Sequence, residues 1–242
     1  NPVTNTRSVA DDPERAVLLL REVVAGLQEG GVAATAKHFP GDGVDSRDQH
    51  LYTTANTLPL DEWWRSSGRV FRELSDAGVM AVMPGHIALP AWQRARGETL
   101  GGFHPPATLS LALLTDLLKG EIGFRGVIVS DAMMMGGFRG WYPTLLEGEI
   151  RSFVGGVDAM LWPSYEFMDE LERRILAGDV PMARLEDAVR RVWEMKRRLG
   201  LFAPKPELVR PGSDAERWAS IASAARTAAG SLTLVRGRKR AL

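Results

Sequence analysis

Residues 36–50 read Ala36-Lys37-His38-Phe39-Pro40-Gly41-Asp42-Gly43-Val44-Asp45-Ser46-Arg47-Asp48-Gln49-His50. This stretch is the part of the sequence that best indicates the fold. The apolar run 31–36 before it predicts a short buried strand that ends at Lys37 and His38. Proline and glycine then break the strand into a loop that carries three aspartates and a second histidine. Polar groups just past a buried strand are typical of a site at the carboxyl edge of a parallel sheet or barrel. A solvated loop whose aspartates form turns is the alternative.

The composition is that of an ordinary globular protein, with 242 residues of which 45% are hydrophobic and 25% charged. Its 30 basic and 30 acidic side chains balance, which argues against a general electrostatic grip on nucleic acid or an anionic membrane. No apolar run approaches the ~18 residues of a membrane span. The absence of cysteine excludes thiol catalysis, disulfides and zinc-thiolate sites. We expect no cofactor and no metal.

Three further strands are predicted, at 79–83, 126–130 and 157–162, each between helical segments. Alternating strands and helices predict parallel βαβ units. Each of the four strands ends in polar or special residues: Lys37-His38, Gly85-His86, Asp131 and Trp162-Pro163. This repetition favours an α/β fold of the (β/α)8 barrel type, but four strands are too few to close it. An open doubly wound sheet is the alternative.

The helices are predicted from apolar spacing and stop signals at 13–29, 60–77, 111–118, 142–153, 165–177, 182–199 and 214–229. A proline- and glycine-rich loop is expected at 90–106. Four residues mark a linker near the end of the chain: Pro204, Pro206, Pro211 and Gly212. We therefore expect a barrel portion over 1–203, then a linker, a helix and a strand near 232–235 over 204–242.

Asp131 ends a run of β-branched residues, so its carboxylate should lie at a strand end and be partly removed from water. A carboxylate in that place can act as a nucleophile or stabilise a developing cation. Capping of the following segment is an equal alternative.

Asp48 and His50 are two residues apart, which in an extended loop places both side chains on one side. The carboxylate could then hold the imidazole tautomer and raise its pKa, as a proton donor and acceptor near neutral pH requires. A bare Asp-x-His is a weak signal, and a surface histidine without a role is the alternative.

Lys37 is predicted to be buried, where an unpaired ammonium is rare. A role in binding ligand hydroxyls or in balancing Asp131 is therefore favoured over a solvated lysine. His38 and His86 are candidate ligand contacts, or core histidines with satisfied hydrogen bonds. Two tryptophans could stack on a ring of the ligand, although most tryptophans are core residues: Trp92 and Trp162.

Taken together, these motifs resemble the family 3 glycoside hydrolases, in their β-N-acetylglucosaminidase branch. The family pattern K-H-F-P-G-x-G followed by D-x-H matches residues 37–43 and 48–50, and S-D-[AD]-[LM] matches 130–133. Four smaller motifs also match: A-T-L-S at 107–110, G-F-x-G at 123–126, V-M-x-x-H-I at 82–87 and the N-P…R-S loop at 1–8. The resemblance covers nearly the whole chain.

The resemblance implies a retaining mechanism in which Asp131 is the nucleophile that forms a covalent glycosyl-enzyme. It also implies that His50, held by Asp48, is the general acid and base, instead of the second carboxylate of most glycosidases. The remaining family positions are expected to bind the sugar: Arg7, Lys37, His38, His86 and Met133.

Two departures from the family pattern matter. Asp42 stands where the family usually has histidine, which puts the sugar contacts at that position in doubt. The match also begins at the family's third strand end, and residues 224–235 resemble the entry into a second, αβα domain. An incomplete barrel should expose strand edges, so we expect self-association or pairing with missing segments. A cytoplasmic location is expected, with export left open because Asn1-Pro2 resembles the interior of a longer chain.

Four functions follow from these expectations. The first is release of terminal β-linked N-acetylglucosamine, or a related β-hexose, by hydrolysis. The second is phosphorolysis, because a histidine that has donated its proton is neutral and does not repel an anionic acceptor. The third is an inactive sugar-binding derivative. The fourth, a metal-dependent hydrolase using His38, His50 and His86, lacks the H-x-H or H-E-x-x-H spacing that would support it.

Overall fold

The protein is described here by a computed structural model over residues 3–203 and 212–230, and within them it is an α/β fold. The strands of the described residues are β1 (Thr35–Phe39), β2 (Thr54–Ala55), β3 (Ala81–Pro84), β4 (Ile87–Ala88), β5 (Val127–Ala132) and β6 (Ala159–Leu161). Four of them form a parallel sheet in the order β1-β3-β5-β6, and β2 and β4 pair separately in parallel. This arrangement confirms the predicted parallel sheet. The sheet forms part of a (β/α) barrel.

The helices lie between the strands as the alternation predicts. They are α1 (Pro13–Glu29), α2 (Leu60–Arg65), α3 (Ser67–Asp76), α4 (Pro90–Ala95), α5 (Gly136–Arg139), α6 (Leu145–Gly155), α7 (Phe167–Leu176), α8 (Met182–Arg198) and α9 (Asp214–Gly230). Two 3-10 turns (Asn5–Arg7 and Ala107–Leu109) and a π-helix (Ala112–Glu121) complete the set. The short helix α4 lies where the sequence predicts only loop, and α5 lies where no element is predicted.

The first strand begins at Thr35, and the prediction of a strand from residue 31 was wrong. Asp12 caps α1, accepting a 2.8 Å hydrogen bond from the Arg15 amide. At the other end Gly31 takes a φ of 79° and the Val32 amide bonds back to the Leu27 carbonyl at 2.9 Å. Residues 30–32 therefore close the helix, although their apolar character suggests a strand.

The predicted single helix from residue 60 to near 78 is two helices that meet at Ser66, whose φ and ψ are −116° and −105°. Gly68 explains the close approach of the two. A Cβ there would lie 2.6 Å from Cζ3 of Trp63 and 2.9 Å from Cε3 of Trp64. The chain thus turns sharply to pack α3 against the α2 tryptophans.

The main core lies between the sheet and α1, α3 and the π-helix. Phe39 at the end of β1 packs edge-on against Phe71 and Trp63, with ring centroids 5.2 Å and 6.4 Å away. Trp92 is buried, and its Nε1 donates a 2.9 Å hydrogen bond to the Ala112 carbonyl. Trp92 is therefore a core residue and is not placed to stack on a ligand.

Helix α8 is tied to the amino ends of the strands by a cluster of partly buried charges, which we call the base cluster: Lys119, Asp158, Arg184, Asp187 and Arg191. The Arg191 guanidinium also donates to the Gly126 carbonyl at 2.9 Å, just before β5. Asp158 accepts from the Ile128 amide at 2.9 Å, which ties β5 to the start of β6.

Replacing Asp187 by asparagine is expected to lower the free energy of unfolding by about 2 kcal/mol at pH 7. This is less than for a fully buried pair, because the Asp187 side chain is 29% exposed. Burial alone would raise the pKa of Asp187, but the Lys119 hydrogen bond and charge, together with Arg191, hold that pKa well below its usual value. The contribution is therefore present above about pH 4, the unfolded pKa, and is lost as pH falls through the folded pKa.

Urea midpoints measured from about pH 7 to about pH 3 test this linkage. The wild type should lose more stability on acidification than the Asp187→Asn variant. Asp76→Asn, at an exposed position at the end of α3, is the matched control. Parallel pH profiles for Asp187→Asn and wild type would contradict the prediction.

The chain divides into two compact units, Asn1–Phe202 and Ala203–Leu242. The described part of the second unit is α9, and the strand predicted near 232–235 lies outside the described residues. That this unit opens an αβα domain stays a prediction. Within residues 3–203 and 212–230, no helix has both the length and the apolar character needed to cross a bilayer.

Candidate active site

The carboxyl ends of β1 and β5 bring His38 and Asp131 together. His38 is buried, and its Nε2 lies 3.6 Å from Oδ2 of Asp131, whose side chain is 15% exposed. The other carboxylate oxygen of Asp131 accepts a 2.8 Å hydrogen bond from the Ala132 amide. The strand-end carboxylate is thus largely removed from water, as predicted, and stands beside an imidazole.

Asp42 holds the opposite side of the His38 ring, with Oδ2 at 3.2 Å from Nδ1. The same oxygen accepts from Nε2 of Gln49 at 3.0 Å, and Oδ1 accepts from the Gly43 amide at 2.9 Å. Burial alone would raise the pKa of Asp42, but the hydrogen bond and charge of His38, together with the Gly43 and Gln49 hydrogen bonds, lower it. Asp42 thus holds the His38 ring at Nδ1 and leaves Nε2 facing Asp131.

Asp48 and His50 form the predicted pair. The Asp48 carboxylate lies 2.6 Å from Nδ1 of His50 and accepts a 2.9 Å bond from the His50 amide. That backbone bond, followed by the side-chain bond, lowers the pKa of Asp48. The imidazole is 60% exposed, so its other nitrogen is open to a ligand. The pair therefore has the contacts of an orienting carboxylate and a proton-transferring imidazole.

The Asp48–His50 pair lies at the same edge of the sheet as Asp131. The Gly136 amide, five residues after Asp131, donates a 2.7 Å hydrogen bond to the His50 carbonyl. The Gln49 side chain, between the two members of the pair, accepts from the His86 amide at 2.8 Å. The loop after β1 is therefore fixed to the ends of both β3 and β5.

His86 has no exposed surface and is a core histidine with both ring nitrogens satisfied. Nδ1 lies 2.9 Å from the Thr108 hydroxyl and Nε2 lies 3.1 Å from the Ala132 carbonyl. Burial lowers the pKa of His86, which favours the neutral ring. In this structure His86 supports the backbone next to Asp131, and direct ligand contact by its ring stays a prediction.

Met133 is likewise completely buried, in a small cluster with Leu109 and Phe138. The expectation that its side chain binds the ligand stays a prediction, and this burial argues against it. The sulfur side chain fills space beneath the β5 turn, because residues after Asp131 alternate between facing the core and facing solvent.

Lys37 and Arg7 are both exposed, and the expectation of a buried Lys37 was wrong. The reason is that β1 is the outermost strand of the sheet, so its side chains on one face lack cover from the described residues. Both cations line a cavity of about 460 Å³ together with His38 and Asp42. Much of the remaining lining is apolar side chains of α1 and α3, and neither Asp131 nor His50 belongs to it, so His38 is the residue that joins this cavity to Asp131.

Three residues inside the matched motifs have roles that the sequence analysis did not assign. Gln49 and Thr108 are buried and hold the loop and His86, although only the neighbours of Gln49 and no member of 107–110 were predicted site residues. Ser130 is buried, and its Oγ accepts a 3.0 Å bond from the Leu161 amide, which joins β5 to β6 where the ladder is irregular. Trp162 follows β6 with a φ of 53° and is 71% exposed, so it keeps the ring surface that stacking requires.

The fold and this site are those of a (β/α)-barrel protein whose polar centre lies at the carboxyl edge of the sheet. Residues 1–195 match the family model described as Glycosyl hydrolase family 3 N terminal domain, and the chain belongs to that family. This confirms the family resemblance derived from the motifs.

Among characterised proteins, the chain is 40% identical over 204 residues to a beta-N-acetylglucosaminidase/beta-glucosidase of Cellulomonas fimi, covering 83% of this chain and 36% of that protein. Among solved structures, beta-glucoside phosphorylase BglX is 33% identical with a TM-score of 0.87, covering 100% of this chain and 44% of the other. A family 3 beta-N-acetylglucosaminidase from Paenibacillus sp. str. FPU-7 is 32% identical with a TM-score of 0.77, covering 88% and 40%. The chain spans less than half the length of these proteins.

Proposed function

We propose that the chain carries the catalytic centre of a retaining glycoside hydrolase that releases terminal β-linked N-acetylglucosamine or a related β-hexose. The observation that carries the proposal is the pairing of Asp131 with His38 at 3.6 Å, beside a loop that holds His50 and Asp48 2.6 Å apart. Family membership and the names of its relatives support the same chemistry.

In the first step an Asp131 oxygen attacks the anomeric carbon while the bond from that carbon to the glycosidic oxygen breaks. Nε2 of His50 gives its proton to the departing oxygen, and Asp48 stabilises the ring through Nδ1. In the second step the neutral imidazole takes a proton from water, which attacks the same carbon and breaks its bond to Asp131. Two inversions at one carbon retain its configuration.

Three polar side chains of the cavity lining suit sugar hydroxyls. Arg7 and Lys37 are exposed charged donors, and His38 is held between two carboxylates. In this proposal Arg7, Lys37 and His38 bind sugar hydroxyls, and Asp42 acts through His38. The buried His38 should contribute the best-defined bond because its ring is already oriented when the sugar arrives.

One assay tests the proposal: release of nitrophenol from the β-N-acetylglucosaminide and from the β-glucoside, each with and without inorganic phosphate. Turnover of a β-glycoside that a chelator does not abolish supports it. No turnover of either glycoside, with sugar binding retained, would replace it by the sugar-binding derivative.

Phosphorolysis is the second candidate, favoured by the likeness to a beta-glucoside phosphorylase and by the choice of an imidazole over a second carboxylate. Phosphate would attack the glycosyl-Asp131 carbon in place of water and yield a sugar 1-phosphate. Appearance of that product with phosphate, at the expense of free sugar, identifies this variant.

The metal-dependent alternative has no further support from the structure: among the described residues no group of three or more His, Asp or Glu side chains is arranged to hold a metal ion. The predicted cytoplasmic location stays a prediction. A small carbohydrate is the partner that the relatives' names support.

Self-association or pairing with a further segment stays a prediction, and the outer edge of β1 is where we expect it. No strand among the described residues pairs with that edge, and apolar side chains of α1 and α3 flank it. An added parallel strand would satisfy the edge. Sedimentation over a concentration series tests self-pairing: a mass that rises with concentration is expected, and a constant monomer would contradict it.

A further inference from the structure

Two glycines after Asp131 touch the backbone of the His50 loop more closely than any other residue could. A Cβ on Gly136 would lie 2.5 Å from the Leu51 carbonyl oxygen and 3.0 Å from that of His50. A Cβ on Gly137 would lie 2.6 Å from the carbonyl oxygen of Gln49 and 2.8 Å from that of Tyr52. Because these neighbours are backbone atoms, a side chain at either glycine has to displace the loop.

Polar bonds hold the same contact. The Gly136 amide donates to the His50 carbonyl at 2.7 Å. The Thr53 hydroxyl donates to the Gly137 carbonyl at 2.6 Å and accepts from Nε1 of Trp141 at 2.7 Å. The loop is thus joined to the start of α5 at His50 and at Thr53.

Gln49 fixes the loop from its other side. Its side chain is buried, in contrast to the half-buried Asp48 and the exposed His50 that flank it. The amide group donates to Asp42 at 3.0 Å and accepts from the His86 amide at 2.8 Å, so both of its polar atoms are satisfied. One side chain therefore links the loop to the ends of β1 and β3.

We propose that Gln49 and the pair Gly136–Gly137 are positioning residues that dock the His50 loop and set the place of the imidazole relative to Asp131. The inference rests on the proposed function for its catalytic consequence. The contacts of Gln49, Gly136 and Gly137 with the loop, which we call the dock, are a property of the fold that is measurable without substrate. It makes proton donation by His50 depend on residues that touch neither the sugar nor the imidazole.

Gly137→Ala tests the dock, with Gly140→Ala as the matched control. A Cβ on Gly140 meets nothing within 4 Å, and its φ of −77° suits alanine. Amide hydrogen exchange in peptides covering 47–54 should rise about tenfold or more in Gly137→Ala and stay at the wild-type rate in Gly140→Ala. Gln49→Met, which keeps the side-chain length and loses both hydrogen bonds, should also raise it.

Kinetics provide the second measurement, on variants whose thermal unfolding shows that they fold. With a poor leaving group, kcat should fall about 100-fold in Gly137→Ala and Gln49→Met, with KM nearly unchanged. With an activated leaving group, kcat should fall much less, because little protonation is needed. A merely structural role would lower kcat by the same factor for poor and for activated leaving groups.

The outcomes separate the dock from the proposed function. Faster exchange together with leaving-group-selective loss supports the whole inference. If exchange is faster in the variants but the wild type itself shows no turnover, the dock is supported and the proposed function is rejected. Unchanged exchange in both Gly137→Ala and Gln49→Met overturns the dock, whatever the activity.

Discussion

Asp131→Asn is expected to lower kcat/KM for a nitrophenyl β-glycoside by about 10⁴-fold or more, because an amide cannot form the glycosyl-enzyme. The substitution keeps the oxygen that accepts from the Ala132 amide, so the turn after β5 should be preserved. Initial rates of nitrophenol release measure the loss. Asp76→Asn, at an exposed position on α3, should retain wild-type rates.

A smaller side chain at the same place makes the test of Asp131 sharper. In Asp131→Ala, azide can enter the space of the lost carboxylate and attack the anomeric carbon directly. One displacement instead of two should give a glycosyl azide of inverted configuration. An azide product of retained configuration, or an Asp131→Asn variant within tenfold of wild type, would show that Asp131 is not the nucleophile.

His50→Ala is expected to lose about 10²- to 10⁴-fold in kcat/KM on substrates with poor leaving groups, the range for general acid catalysis. On nitrophenyl substrates the loss should be less than about tenfold when glycosylation limits the rate. The dependence of log kcat/KM on leaving-group pKa measures this directly, and it should steepen in the variant. His104→Ala, in which the lost ring bonds only the Glu98 carbonyl, is the matched control.

Asp48→Asn should shift the same dependence in the same direction but less far. Its amide can still receive or offer one hydrogen bond to Nδ1, which is 2.6 Å away, but carries no charge to stabilise the protonated ring. Equal losses for His50→Ala on good and poor leaving groups would contradict the acid role and leave Asp48 without a catalytic function.

The sequence predicts the longer strands, whose apolar runs alternate regularly with helices. It misses the short elements that depend on individual contacts. The strands predicted at 79–83, 126–130 and 157–162 lie within two residues of β3, β5 and β6, because their apolar runs are bounded by glycine. The strands β2 and β4 have two residues each, which is too short for any alternating pattern to appear.

The candidate site divides in the same way. The contact between Asp48 and His50 follows from their spacing, and the nearness of His38 to Asp131 follows from parallel strand ends. The exposure of Lys37 does not follow, because it depends on which strand is outermost. The burial of Gln49 depends on partners seven and 37 residues away in the chain, to which no local pattern refers.

The base cluster lies at the amino ends of the strands, whereas Asp131, His38 and His50 gather at their carboxyl ends. Robustness and reactivity are therefore encoded in separate regions of the molecule. An engineer who seeks heat tolerance can search α8 and its neighbours, where new ion pairs or better packing would leave the candidate active site untouched. Changes of specificity belong to the opposite rim, and the two searches can be run independently and then combined.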